Sequence, residues 1–296
     1  MILSTAPSVR LCSQANRTAH FRGLPLPAAS GACDVLRFAV GRLYVTPRVQ
    51  RATGITMALK PGDEMDLQFT GLPDEQGMMT VAGFGSLLSE RSALVTFPAL
   101  SNFRAAKLRG WRRVFAHTAP IFFERGIARM DTKEISSLSV EPCEGESIVV
   151  SLFEVEATEA SIAAFIEREH EFRFVAVMAE DLLTGAEVGR PGVLCARYTD
   201  EEYRRVRCGG DASGEYERRY GRHGIDKIWR DDLLPCRTYL RHCVLASQRL
   251  GPEAYASFLD DTYLGDRTTT IRSHLAADPS IMEELPPPEL VDRYSG

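Results

Sequence analysis

The run Gly83-Phe84-Gly85-Ser86-Leu87 closes the apolar stretch Met78-Met79-Thr80-Val81-Ala82. A strand that stops in a Gly-Ser loop leaves backbone N–H groups uncovered by side chains, and such a loop can hold a small anion. Two loop chemistries are refused by Leu88. A dinucleotide fingerprint needs its third glycine there, and a nucleophile elbow, Gly-x-Ser-x-Gly, needs its last glycine there. Two readings remain. One is an ordinary strand-ending turn. The other is a cradle in which the N–H groups of Phe84, Gly85, Ser86 and Leu87, with the Ser86 hydroxyl, bind a carboxylate or an amino-acid head.

Glu169 is the second candidate. Ile162, Phe165 and Ile166 mark the inward stripe of a helix that starts at Thr158, and the i, i+3, i+4, i+7 series continues at position 169. Glu167 and Arg168 fall on the outer faces. A carboxylate turned toward the core at a helix C-terminal end is desolvated and meets the negative end of the dipole, and both effects raise its pKa. Such a group exchanges a proton near neutral pH. The same spacing also accommodates an ion pair with Arg168 or Arg173, or a frayed last turn that returns Glu169 to water.

Metal ligation is poorly supported. His170 beside Glu169 and Glu171 lacks the i, i+4 pairing of a helical zinc site, and the other histidines are scattered. The cysteines form no CxxC pair, so neither a disulfide framework nor a structural zinc is expected. Cys236 and Cys243 share a helical face with Tyr239 and Leu240 and read as core thiols.

The elements that must hold these residues follow from patterning. A strand over 78–84 feeds the loop, and a short helix follows through Leu87, Leu88, Leu94 and Val95. Residues 105–117 read as a strand pair or a bent strand, and 122–142 as irregular and polar. Residues 147–155 form a strand rich in β-branched and aromatic side chains. Thr158 caps the Glu169 helix, with Glu159 in its first turn. Strands over 172–178 and 193–198 follow. A helix over 236–250 is broken at Gly251-Pro252, and Tyr255, Phe258 and Leu259 mark the next. Strands first and helices last, with one βα unit between, indicate an α+β fold. The domain is expected over 78–278, after a linker at 57–77 and before a Pro-rich extended tail at 279–296.

Residues 1–56 differ in kind: seven arginines, no lysine, and Asp34 as the single acid. This composition suits a transit peptide, for a chloroplast or a mitochondrion, or else a disordered extension, with a cytoplasmic protein in the latter case. Setting it aside leaves 28 of the 35 basic residues against 39 of the 40 acidic ones, a net −11. An acidic domain of about 240 residues is large enough for one substantial core. Its arginine clusters, such as Arg218/Arg219/Arg222, then read as solvated faces rather than a nucleic-acid footprint. No apolar run approaches the ~20 residues of a membrane span, so neither nucleic acid nor membrane is an expected partner.

In this order and spacing the motifs resemble the γ-glutamylcyclotransferase superfamily, and within it the ChaC-like branch. The glycine loop is similar to that family's Tyr-Gly-Ser-Leu substrate loop. Leu108-Arg109-Gly110-Trp111-Arg112-Arg113-Val114-Phe115 is similar to the branch's Gly-Tyr-x-Arg-Arg-Phe strand. Phe165-Ile166-Glu167-Arg168-Glu169 is similar to the Leu-Asp-x-Arg-Glu segment whose last acid is catalytic. Tyr239-Leu240, Gly251-Pro252 and Leu259 fit the family's C-terminal helices. The resemblance covers 78–276. It implies a small mixed β-barrel or sheet packed with helices, and a reaction without metal or cofactor. In that reaction the α-amine of a γ-glutamyl substrate, glutathione or a related peptide, attacks its own γ-carbonyl and releases 5-oxoproline. Glu169 would be the catalytic acid/base, and Phe84, Gly85, Ser86 and Leu87 the substrate loop.

Three departures stand out. Phe84 replaces the usual tyrosine, and His170-Glu171-Phe172-Arg173-Phe174 replaces an expected glycine-tyrosine pair. The Asp-His-Arg-Gly segment of the glutathione-specific branch is missing, with Glu124-Arg125-Gly126 as its nearest remnant.

Overall fold

The computed structural model describes residues 59–296. The expected transit segment at 1–56 lies outside the described residues. The strands run β1 (Met78–Gly83), β2 (Ser101–Thr118), β3 (Glu134–Glu156), β4 (Phe172–Val177), β5 (Glu180–Asp181), β6 (Gly192–Arg197), β7 (Leu234–Pro235) and β8 (Thr262–Leu264). The helices are α1 (Glu90–Leu94), α2 (Pro120–Glu124), α3 (Glu159–Arg168), α4 (Asp200–Val206), α5 (Glu215–Arg219), α6 (Arg237–Leu250), α7 (Pro252–Asp260), α8 (Ile271–Ala277) and α9 (Val291–Tyr294). This is the expected α+β class. One mixed sheet in the order β4-β6-β1-β3-β2-β5 is packed with helices, and β7 and β8 add to β3 and β2. Among the described residues no ladder joins β4 to β5, so the hydrogen bonding does not close into a barrel.

β1 lies inside the sheet, antiparallel to β3 and parallel to β6. Met79 and Val81 on one face and Thr80 and Ala82 on the other are all buried, as a strand covered on both faces requires. The segment read as a bent strand is β2, whose long pairing with β3 shifts register between Arg109 and Trp111. Gly110 supplies the positive φ of 78° at that bulge, which bends the pair.

The helix that carries Glu169 starts as expected. The Thr158 hydroxyl accepts from the Ser161 N–H at 3.1 Å while the Ser161 hydroxyl accepts from the Thr158 N–H at 3.0 Å, a reciprocal cap. Phe165 then anchors α3 among the rings of Phe69, Phe97 and Phe174, at centroid distances of 5.9, 5.5 and 5.3 Å.

Three expectations are corrected. The described part of the 57–77 linker is packed into the domain: Phe69 is fully buried, and the Met65 N–H donates to the Phe174 carbonyl at 2.8 Å. Burial of Met65, Phe69 and Leu72 outweighs the turn-forming composition around them. The irregular reading of 122–142 gives way to α2 and to β3, which begins at Glu134. Ser136, Ser137 and Ser139 disguised that strand, because serine lacks a strand signature even where the backbone is buried. The 279–296 segment is no extended tail. Ile281, Leu290 and Tyr294 are buried, and the Gly296 N–H donates to His242 Nδ1 at 3.0 Å. Cys236 and Cys243 are buried free thiols, as expected.

Candidate active site

The loop after β1 is shaped by two close approaches. A Cβ on Gly83 would lie 2.5 Å from the Leu87 Cβ, and one on Gly85 would lie 2.6 Å from the Tyr239 hydroxyl on α6. Neither position tolerates a side chain without displacement of its neighbour. The buried Ser151 hydroxyl of β3 donates to the Leu87 carbonyl at 2.7 Å and pins the far side of the loop. A tight turn over Ser86–Leu88 follows, with the Leu88 N–H on the Gly85 carbonyl at 2.9 Å. The Ser86 N–H donates to the Tyr239 hydroxyl at 3.3 Å. Among the described residues the N–H groups of Gly85 and Leu87 have no acceptor, so these two are free to hold an anion.

α3 delivers Glu169 at its C-terminal end, where the Glu169 N–H closes the last turn on the Phe165 carbonyl at 2.9 Å. The preceding Arg168 was expected on the outer face. Instead its side chain is only 11% exposed and joins three elements. Its Nε donates to Glu169 Oε1 at 3.1 Å and its Nη2 to the Ser86 and Ser92 hydroxyls at 3.0 and 3.1 Å. Its Nη1 donates to the Ser92 carbonyl and the Thr96 hydroxyl at 2.9 and 2.8 Å. All five donors of the guanidinium are used, a geometry that only arginine can satisfy. The Ser86 hydroxyl, expected to meet a ligand, is therefore engaged by Arg168.

The Glu169 side chain is 14% exposed. Burial raises its pKa, against the opposing charge of Arg168 and, further off, Arg293. Directly after it the Phe172 N–H donates to the Glu169 carbonyl at 3.0 Å, closing a turn that carries Glu171. Glu171 is buried, and desolvation together with the nearby Glu169 charge pushes its carboxyl up to about 7.

Glu169, Glu171 and the Phe84–Leu87 loop line one cavity of about 440 Å³. The expected acid and the expected loop are thus brought together. Positive charge rings the same space. Arg219 is paired with Glu215 and Glu167, and Arg222 with Glu124. Arg125 and Arg293 also line the cavity and form no ion pair among the described residues. His117 lies on its wall between the rings of Phe172 and Trp229, and burial lowers its pKa to about 3, so the imidazole is neutral.

Sequence reasoning missed Glu171, His117, Arg168 and Arg293 as cavity residues. A signal existed for Glu171: it stands two residues beyond Glu169 across a helix-to-strand turn. None existed for Arg293, which reaches the site only because the C-terminal segment folds back onto α6.

No protein-family model matches the chain. No curated protein matches its sequence. Solved structures do match. One described as a gamma-glutamyl cyclotransferase is 11% identical, with a TM-score of 0.31 over 48% of this chain and 80% of that one. An uncharacterized protein from Homo sapiens is 11% identical, with a TM-score of 0.33 over 53% of this chain and 90% of that one. A protein from Arabidopsis thaliana is 14% identical, with a TM-score of 0.31 over 46% of this chain and 87% of that one. At such distances these likenesses assign neither family nor activity, and the functional reading stands on the site's own residues.

Proposed function

We propose that this chain is a γ-glutamylcyclotransferase that acts on glutathione or a related γ-glutamyl peptide and releases 5-oxoproline. The observation that carries the reading is that Glu169 and the Phe84–Leu87 loop, distant in sequence, line one cavity. The free Gly85 and Leu87 amides take the α-carboxylate of the γ-glutamyl head. Glu169 removes a proton from the α-ammonium group. The freed amine attacks the γ-carbonyl, a ring C–N bond forms, and the original amide C–N bond breaks as its nitrogen is protonated. Both reactants belong to one molecule, so orientation and proton transfer supply most of the acceleration.

Arg125 and Arg293 favour a leaving group that itself ends in a carboxylate, hence a peptide over a γ-glutamylamine. The full chain incubated with glutathione is expected to release 5-oxoproline and cysteinylglycine, and Glu169→Gln to abolish this with the fold intact. Absence of product from every γ-glutamyl compound tested would refute the reading.

One observation favours a non-catalytic binding module of the same fold: Arg168 holds Glu169 in an ion pair at 3.1 Å. That alternative predicts thermal stabilisation by γ-glutamyl ligands without product, with little effect of Glu169→Gln on binding. The arginine-rich, acid-poor segment at 1–56 supports import into a chloroplast or mitochondrion. A fluorescent protein fused behind residues 1–56 is expected in one of these organelles, and diffuse cytoplasmic signal would oppose import.

A further inference from the structure

Glu171 takes no part in the reaction as drawn so far, yet it faces the same cavity as Glu169. The turn closed by the Phe172 N–H on the Glu169 carbonyl sets the two acids two residues apart, while His170 between them is tied to the Tyr203 hydroxyl at 3.0 Å. Their electrostatic company differs. Glu169 has Arg168 against it, but Glu171 has no ion pair among the described residues. The groups facing Glu171 are Glu169 on its own turn, Tyr203 on α4, and Arg219 and Tyr220 at the end of α5. Arg219 is committed to Glu215 and Glu167. The Tyr220 hydroxyl approaches Glu171 without completing a hydrogen bond.

We infer that Glu171 is the second acid/base group of this site, the donor that protonates the departing nitrogen while Glu169 serves as the base. This rests on the cyclotransferase reading. Two carboxyls in one cavity with unlike neighbours divide the charged and protonated forms between them. Here the ion pair with Arg168 at 3.1 Å favours the charged form of Glu169, and Glu171, raised to about 7 and without such a partner, keeps a protonated population of about half near neutral pH.

The protons balance. Glu169 takes one from the α-ammonium group, and Glu171 gives one to the leaving nitrogen as the amide bond breaks. The new ring nitrogen then returns its second proton to Glu171. Glu169 passes its proton to the released amine, which leaves as an ammonium ion.

Leaving-group dependence tests the assignment. The full-length wild type and its Glu171→Gln and Glu169→Gln variants are compared on glutathione and on γ-glutamyl-4-nitroanilide, whose anilide nitrogen needs little protonation to depart. Circular dichroism confirms that each variant folds. Glu171→Gln is expected to lose roughly 100-fold or more on glutathione, the range of a lost general acid, but less than roughly 10-fold on the anilide. Glu169→Gln is expected to fail on both substrates. Equal losses on the two substrates, or no loss on either, would overturn the role of Glu171. Failure of the wild type itself on both compounds would instead defeat the cyclotransferase reading, and this inference with it.

Discussion

The Arg168 guanidinium donates to the Ser86 hydroxyl at 3.0 Å, tying the end of α3 to the glycine loop. The same guanidinium holds Glu169 at 3.1 Å. One side chain therefore sets both the distance from acid to loop and the charge beside the acid.

Arg168→Lys is expected to reduce kcat/KM on the order of 100-fold, because an ammonium cannot span five acceptors and the loop shifts relative to Glu169. In Arg168→Gln the carboxylate loses its nearest positive neighbour, so the already raised pKa of Glu169 rises further. The acid limb of the pH–rate profile then moves to higher pH. An unchanged limb would place the kinetically important base elsewhere.

Gly85→Ala puts a methyl group 2.6 Å from the Tyr239 hydroxyl. Overpacking of this kind costs about 1–3 kcal/mol, measurable by urea denaturation. Adding Tyr239→Phe removes the obstructing oxygen, so the double variant is expected to recover part of the loss despite forfeiting the Ser86 N–H bond. Simple additivity of the two changes would contradict the contact.

Arg293→Gln removes a cavity cation that forms no ion pair among the described residues. Hydrogen bonds to charged groups contribute about 1.5–3 kcal/mol, so KM for glutathione is expected to rise roughly 10-fold to 100-fold with kcat little changed. A γ-glutamyl compound whose leaving group lacks a carboxylate should be less affected.

Glu171 also gives stability a pH dependence. Its folded pKa of about 7 lies above the ordinary 4.5, so the folded state holds more protons between these values. Its contribution is fully present below about 4.5 and is lost as pH rises through about 7, up to about 3 kcal/mol. His117 and His170, both lowered to about 3 by burial, act oppositely in an overlapping window. The difference between wild type and Glu171→Gln isolates the carboxyl: the variant should gain relative stability from pH 4.5 to 7 in parallel urea titrations. A difference that stays flat would mean that Glu171 is not raised.

The parts of the site built from local pattern were legible. The apolar run into Gly83, the Thr158 cap and the stripe through Phe165 each follow from propensity and periodicity, and they led to the loop and to Glu169. What escaped depends on distant chain. Arg168 read as an outer-face residue because a helical wheel does not show the loop and α1 packed beside that face. Phe69 read as linker because its partners, Phe165 and Phe174, come about a hundred residues later. Arg293 reached the cavity through the return of the C-terminal segment onto His242, a contact with no trace in local composition.

Glu169, which lines one cavity with the glycine loop, is proposed to carry proton transfer in γ-glutamyl cyclisation. The most direct test of this role is 5-oxoproline release from glutathione by the full chain, beside an equally folded Glu169→Gln variant. Steady 5-oxoproline and cysteinylglycine are expected from the wild type and none above background from the variant. Equal release from both proteins, or none from the wild type, would contradict this role.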